Sequence, residues 1–135
     1  SPSKYFNFYD PNELGRFSNA RSVKSGTREN VAKKYGELFK RKDIDSLSEL
    51  FTEDVELLDP LAGEFSGKSQ VVEFVSKLFS NNQSMVFDII RAVDVGDFGV
   101  LEFKLKIDKT VISGVDIIEF KGDKIRSINA YLNQS

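Results

Sequence analysis

Three residues in this sequence stand where a solubilising role does not explain them: Tyr35, Asp59 and Asp116. Tyr35 falls on an apolar stripe with Val31, Leu38 and Phe39 at helical spacing, and a buried tyrosine hydroxyl needs a hydrogen-bond partner. Asp59 closes a short apolar stretch, Val55 to Leu58, and precedes Pro60, whose fixed φ stiffens the backbone beside it. Asp116 shares a period-2 face with Ile112, Ile118 and Phe120, while Val111, Val115 and Ile117 make the opposite face apolar as well. Burying an ionised carboxylate there is costly, so Asp116 is expected to be paired or to hold its proton at neutral pH. A protonated aspartic acid donates a hydrogen bond. If Tyr35 and Asp116 donate into one cavity and Asp59 stays ionised beside them, the set offers two oxyanion donors and one base, which suits proton abstraction next to a carbonyl. Each residue also has a structural reading: Tyr35 as a core aromatic with a satisfied hydroxyl, Asp59 as an Asx turn or helix-entry group, Asp116 as bonded to a backbone amide at a bulge.

Composition narrows the chemistry further. The chain has no histidine and no cysteine, which removes disulfides, thiolate nucleophiles, Ser-His-Asp arrangements and the usual zinc ligand sets. Acid-base work must run on Asp, Glu, Lys or Tyr, and no metal or cofactor is expected. A formal net charge of -2 gives no reason to hold a phosphate backbone, so nucleic acid is not an expected partner. The apolar runs fall far short of the ~20 residues a spanning helix requires, and the N-terminus lacks the apolar stretch of a signal peptide. No membrane partner is expected, and the protein is read as cytoplasmic.

The segment Ala62 to Ser69 fits the loose spacing of a phosphate loop, ending in Gly67-Lys68-Ser69. Ala62 replaces its first glycine and no alternating parallel βα units follow, so the expected role is a turn in which Ser66 or Gly67 starts a helix. Two glycosylation triplets, at Asn82 and Asn133, have no consequence without secretion.

The elements that must position the three residues follow from periodicity. With 135 residues, one domain is expected. Residues 1-26 scatter Tyr5, Phe6, Phe8, Tyr9 and Phe17 without a period and read as an irregular arm, packed on the domain, on a second subunit or over a pocket. Thr27 is a plausible cap for a first helix running to about Arg41, and Asp45 for a second short helix carrying Leu47, Leu50 and Phe51 inward. Val55 to Leu58 reads as a short strand, Leu61 to Gly67 as a loop, and Val71, Phe74, Val75 and Leu78 as the stripe of a third helix ended by Asn81-Asn82. The last third alternates with period 2: Met85 to Val95, Leu101 to Ile107, Val111 to Lys121 and Lys124 to Leu132, joined by Gly96-Asp97, Asp108-Lys109 and Gly122-Asp123 turns. Helices followed by a long antiparallel meander imply an α+β domain over 27-135, with a curved sheet wrapped on the helices and an apolar mouth where a pocket can form.

Val31-Ala32-Lys33-Lys34-Tyr35, Lys42-Asp43-Ile44-Asp45-Ser46-Leu47, Leu50-Phe51-Thr52-Glu53-Asp54-Val55, Asp59-Pro60, Gly67 and Phe74 together resemble ketosteroid isomerase and its SnoaL-like relatives, from about Arg28 to the C-terminus. The resemblance implies the cone-shaped fold of nuclear transport factor 2: three N-terminal helices packed on a curved, mainly antiparallel sheet. It places the isomerase's oxyanion tyrosine on Tyr35, its general base on Asp59 and its oxyanion aspartic acid on Asp116. A pocket-wall phenylalanine falls on Phe74, with Phe103, Ile118 and Leu61 as further candidate lining residues. The implied activity is a cofactor-independent proton transfer that shifts a C=C bond beside a carbonyl, on a small apolar carbonyl-bearing molecule. The loop from Asp59 to Gly67 is a residue shorter than in the isomerase. Asn129, Tyr131 and Asn133 form a polar series for a steroid wall, which points to another substrate. Alternatives within the resemblance are a non-catalytic binding or dimerisation module, and a cyclase or hydrolase using Asp59 differently; histidine-dependent dehydratases are excluded by composition. A homodimer through the sheet, around Val111, Val115 and Ile117, is the expected assembly.

Overall fold

The computed structural model describes residues 30–134; the arm at 1-26 and the expected cap Thr27 lie outside the described residues. The first helix, α1 (Val31–Lys40), is capped by Asn30, whose side chain accepts from the Lys33 amide at 2.9 Å. Its stripe buries Val31, Ala32, Tyr35, Leu38 and Phe39. Asp94 holds the same helix end from the sheet: its carboxylate oxygens accept from the amides of Val31 at 2.7 Å and Ala32 at 3.0 Å, two of the donors that a helix N-terminus leaves unpaired. Asn30 also donates to the Ala92 carbonyl at 3.1 Å. These contacts fix the axis of α1, and so the place of Tyr35.

The second helix, α2 (Ile44–Leu50), starts earlier than the sequence suggests, because Asp43 and not Asp45 is its cap, accepting from the Ser46 amide at 3.2 Å. Asp45 lies inside the first turn, where a carboxylate still favours the positive end of the helix. Phe51 begins a strand rather than ending the helix: β1 (Phe51–Asp59) is longer than the Val55 to Leu58 segment expected.

The stretch read as a loop contains a strand, β2 (Gly63–Ser66), paired antiparallel with β1 through Leu57 opposite Phe65. Only Phe65 among its four residues is a bulky apolar one, so no alternation marked it. Its pairing disposes of the phosphate-loop spacing: the Gly67 amide donates to the Val55 carbonyl at 2.8 Å, the Ser66 amide to Gln70 at 3.0 Å, and Lys68 lies 3.5 Å from Glu53. Gly67, at φ 89°, turns the chain into α3 (Lys68–Asn81), a backbone region that favours glycine.

Four long strands complete the described residues: β3 (Val86–Val95), β4 (Phe98–Ile107), β5 (Thr110–Lys121) and β6 (Lys124–Gln134), joined at the three expected turns. The sheet order is β2-β1-β6-β5-β4-β3. All pairings are antiparallel except β1 with β6, which brings the end of β1 beside the middle of β6. The three helices cover one face of this six-stranded sheet, an α+β arrangement. The core lies between them, with Leu101, Phe103 and Leu105 from β4, Ile112, Ile118 and Phe120 from β5, and Ile125 and Ile128 from β6. No helix among the described residues is long and apolar enough to cross a membrane.

Candidate functional site

Three elements converge on one cavity of about 240 Å³. α1 presents Tyr35 from its buried stripe, β1 delivers Asp59 at its last residue, and β5 carries Asp116 in the middle of its inward row. Tyr35 is 4% exposed and Asp116 6%, the one buried charged residue among the described residues; Asp59 is half-buried. The other described residues lining the cavity are all apolar.

The electrostatics follow from that arrangement. Burial, and after it the charge of Asp59, push the Asp116 carboxyl from the usual carboxylate range up to about 8. Burial also holds the Tyr35 hydroxyl well above its ordinary value, with Asp116 and Asp59 adding to the effect. Near pH 7 both are therefore protonated donors. Asp59 makes the Asx turn that its sequence position allowed: Oδ1 accepts from the Leu61 amide at 2.8 Å and the Ala62 amide at 3.0 Å. The turn engages Oδ1 alone and fixes the plane of the carboxylate at the cavity's edge. The bulge reading of Asp116 does not hold, since Asp116 pairs in register with Leu101 and Ala130 and the irregularity in β5–β6 comes three residues later, at Glu119/Phe120.

Of the proposed wall residues, Phe74, Phe103 and Leu61 line the cavity. Phe74 stacks on Phe65 with ring centroids 4.4 Å apart, and Phe103 stacks on Phe87 at 4.9 Å. Leu61 is 58% exposed and marks the rim. Ile118 is not in the lining. It is wholly buried one step beyond Asp116 on the same row, opposite Gly99 and Ile128, where α1 closes onto the sheet and leaves no space. Asn129, Tyr131 and Asn133 also lie elsewhere: they line an outer groove of about 800 Å³ together with Lys104, Ser113 and Val115. The wall from β6 is Ala130 and Leu132, so the last strand adds no polar group to the cavity.

Sequence reasoning passed over Phe87, Leu78 and, most informative, Gly114. A Cβ at Gly114 would collide with the ring of Phe103 and stand 2.8 Å from Leu132 Cδ2. Both are wall residues, resting directly on bare backbone. A glycine inside an otherwise apolar strand is the signal that could have found this, since such a position marks close approach of another group. Among the described residues, no cluster of His, Cys, Asp and Glu could hold a metal ion.

Residues 32–128 match the family model described as the SnoaL-like domain. No curated protein sequence matches the chain. Among solved structures, it is similar to a nuclear transport factor 2-like protein of unknown function from Mesorhizobium loti, at 18% identity over 84% of this chain and 93% of that one, with a TM-score of 0.69. A candidate ketosteroid isomerase from Kribbella flavida is similar at 15% identity over 78% of this chain and 76% of that one, TM-score 0.67. A candidate polyketide cyclase from Sinorhizobium meliloti is similar at 16% identity over 76% and 94%, TM-score 0.66. At these identities the likeness is one of fold.

Proposed function

The chain belongs to the SnoaL-like domain family, and from that premise we propose that it is a cofactor-independent isomerase, moving a proton beside the carbonyl of a small molecule held in the cavity. The observation that carries this reading is the buried carboxyl of Asp116, raised to about 8, in one cavity with Tyr35 and Asp59. Structural carboxylates are normally paired with a cation; Asp116 instead shares its space with a second carboxylate and a hydroxyl, an arrangement that perturbs a group in the way catalytic sites do.

In the proposed reaction Asp59 takes a proton from the carbon between the carbonyl and a β,γ double bond. The electron pair of that C–H bond moves toward the carbonyl oxygen, giving a dienolate. Tyr35 and neutral Asp116 donate hydrogen bonds to the oxygen, stabilising charge that exists only after abstraction. Asp59 then returns the proton to the γ carbon, leaving the conjugated enone and the starting form of the enzyme. A cyclase or hydrolase would place different demands on Asp59, and a binding module none.

The test is ultraviolet-monitored conversion of a β,γ-unsaturated ketosteroid and of small β,γ-unsaturated ketones to their enones, beside Asp59→Asn. A rate that disappears in the variant is the expected result; no rate above the variant's background with any of them rejects isomerase chemistry. The proposal includes a cytoplasmic setting and a homodimer through the outer sheet face. That face carries the half-buried Val111, Val115 and Ile117 with exposed Ile90 and Tyr131. Lys104 lies in its groove beside Glu102, whose carboxylate already pairs with Arg91 at 2.6 Å.

A further inference from the structure

We infer that the cavity takes a neutral ketone of one or two rings and refuses both tetracyclic and carboxylate-bearing molecules, an inference that rests on the proton-transfer reading of the same site. Size is the first argument. A dry cavity of ~150 Å³ accommodates one benzene ring, so 240 Å³ has room for about ten non-hydrogen atoms. A tetracyclic skeleton brings roughly twice that number, in a space below the ~300 Å³ at which pockets for drug-sized ligands begin.

The walls have little left to yield. Phe103 and Leu132 rest against Gly114, where no side chain stands between them and the strand, so on that side the cavity is already as deep as the backbone allows. Beside Phe103 in the lining, Phe87 stacks on it at 4.9 Å and meets Phe39, a third lining ring, at 4.7 Å. Phe39 is closed off by Phe79 at 4.9 Å. Such a chain of rings in a close-packed interior transmits a displacement rather than absorbing it.

Charge is the second argument. Tyr35, Asp59 and Asp116 are the polar side chains of the lining, and no Lys or Arg accompanies them among the described residues. A carboxylate ligand would bring a third acid into a space to which the described residues supply no cation, where like charges repel with little screening. A neutral ketone meets two donors instead. Its carbonyl lies with Tyr35 and Asp116 and its far end toward Leu61 at the rim.

The test is equilibrium binding to the full chain, by calorimetry, of conjugated products: cyclohex-2-enone, a bicyclic octalone, a tetracyclic enone and cyclohexene carboxylate. The expected order places the octalone tightest, the tetracyclic enone at least tenfold weaker, and the carboxylate without saturable binding. Leu132→Ala is expected to raise the tetracyclic enone's affinity at least tenfold. Should that variant not fold, Gly114→Ala is expected to weaken the octalone tenfold and spare cyclohexenone. A tetracyclic enone that binds as tightly as the octalone, a carboxylate that competes with it, or no binding of any of the four overturns the inference. An octalone that binds while its β,γ isomer is not converted rejects proton transfer and leaves the ligand class standing; conversion of the tetracyclic substrate alone does the reverse.

Discussion

Asp59 and Asp116 open onto the same cavity from adjacent regions of the sheet, and the charge of the first adds to burial in pushing the second up to about 8. Two neighbouring carboxyls in a poorly solvated space do not both ionise readily. Their environments separate them: Asp59 is half-buried and held by two backbone amides, whereas Asp116 stands among apolar side chains in mid-strand. On the proposed reading this difference makes a base of Asp59 and an acid of Asp116, and β6, running between β1 and β5, sets the gap between them.

The activity should therefore fall on the alkaline side as Asp116 loses its proton. Because its folded value is about 8, kcat/KM for isomerisation is expected to decline through that pH, while Tyr35, held well above its ordinary value, contributes nothing to the limb. Asp116→Asn keeps a donor and should abolish the decline; Asp116→Ala should lower kcat about 10²–10³-fold, the usual cost of one oxyanion donor. A pH profile from 5 to 10 for the three proteins checks this, and an unchanged alkaline limb in Asp116→Asn would assign it to another group.

Stability should carry the same signature. The folded value of Asp116 lies above that of an unfolded carboxyl, ~3.9, so the native state binds the extra proton between these limits. The contribution is present in full below the unfolded value and is lost as pH rises toward 8, at up to about 1.4 kcal/mol per pH unit. Urea denaturation at successive pH values should show Asp116→Asn gaining on the wild type from pH 4 to 8 and running parallel above. Parallel curves throughout would mean that Asp116 titrates as an exposed carboxyl, and the oxyanion scheme would lose its donor.

The helical stripes and the long meander were legible because apolar periodicity states which face is buried; Tyr35 and Asp116 could be singled out for the same reason, as polar groups on apolar faces. Ile118 shows the limit. It shares the face of Asp116, yet whether a face meets a cavity or packed side chains depends on where α1 crosses the strands, and that is set by Asp94, sixty-two residues from Ala32. Nothing local to Asp94 marks it as a helix anchor. β2 escaped notice because four residues with one bulky apolar side chain acquire their strand conformation from β1 rather than from their own pattern. Asn129, Tyr131 and Asn133 were readable in principle: counting by two from Ile128 puts all three outside.

Asp94→Ala tests the anchoring directly. The substitution leaves the Val31 and Ala32 amides without acceptors at 2.7 and 3.0 Å, and removing a capping carboxylate costs about 1–2 kcal/mol. Thermal unfolding should shift down by roughly 4–16 °C on the usual scale for a domain near this size. Catalysis should fall as well, since the helix carries Tyr35, with Asp94→Asn intermediate in both. A variant whose midpoint is unchanged would show that Asn30, through Lys33 and Ala92, suffices to seat the helix.

The outer face gives the last expectation, and it bears on the base. Asp59 lines the outer groove as well as the inner cavity, so a second copy seated on Ile90, Val115 and Tyr131 would remove water from one side of its carboxylate. Light scattering should return twice the mass of one chain, and Val115→Lys combined with Tyr131→Lys should return a single chain, because four like charges would then meet across the two-fold axis. Neither side chain is part of the inner cavity. The double variant should therefore keep the pH-dependent stability of Asp116 while losing isomerase rate, as water returns to the outer side of the Asp59 carboxylate. A wild-type chain that scatters as a monomer and is fully active would remove the outer face from the site.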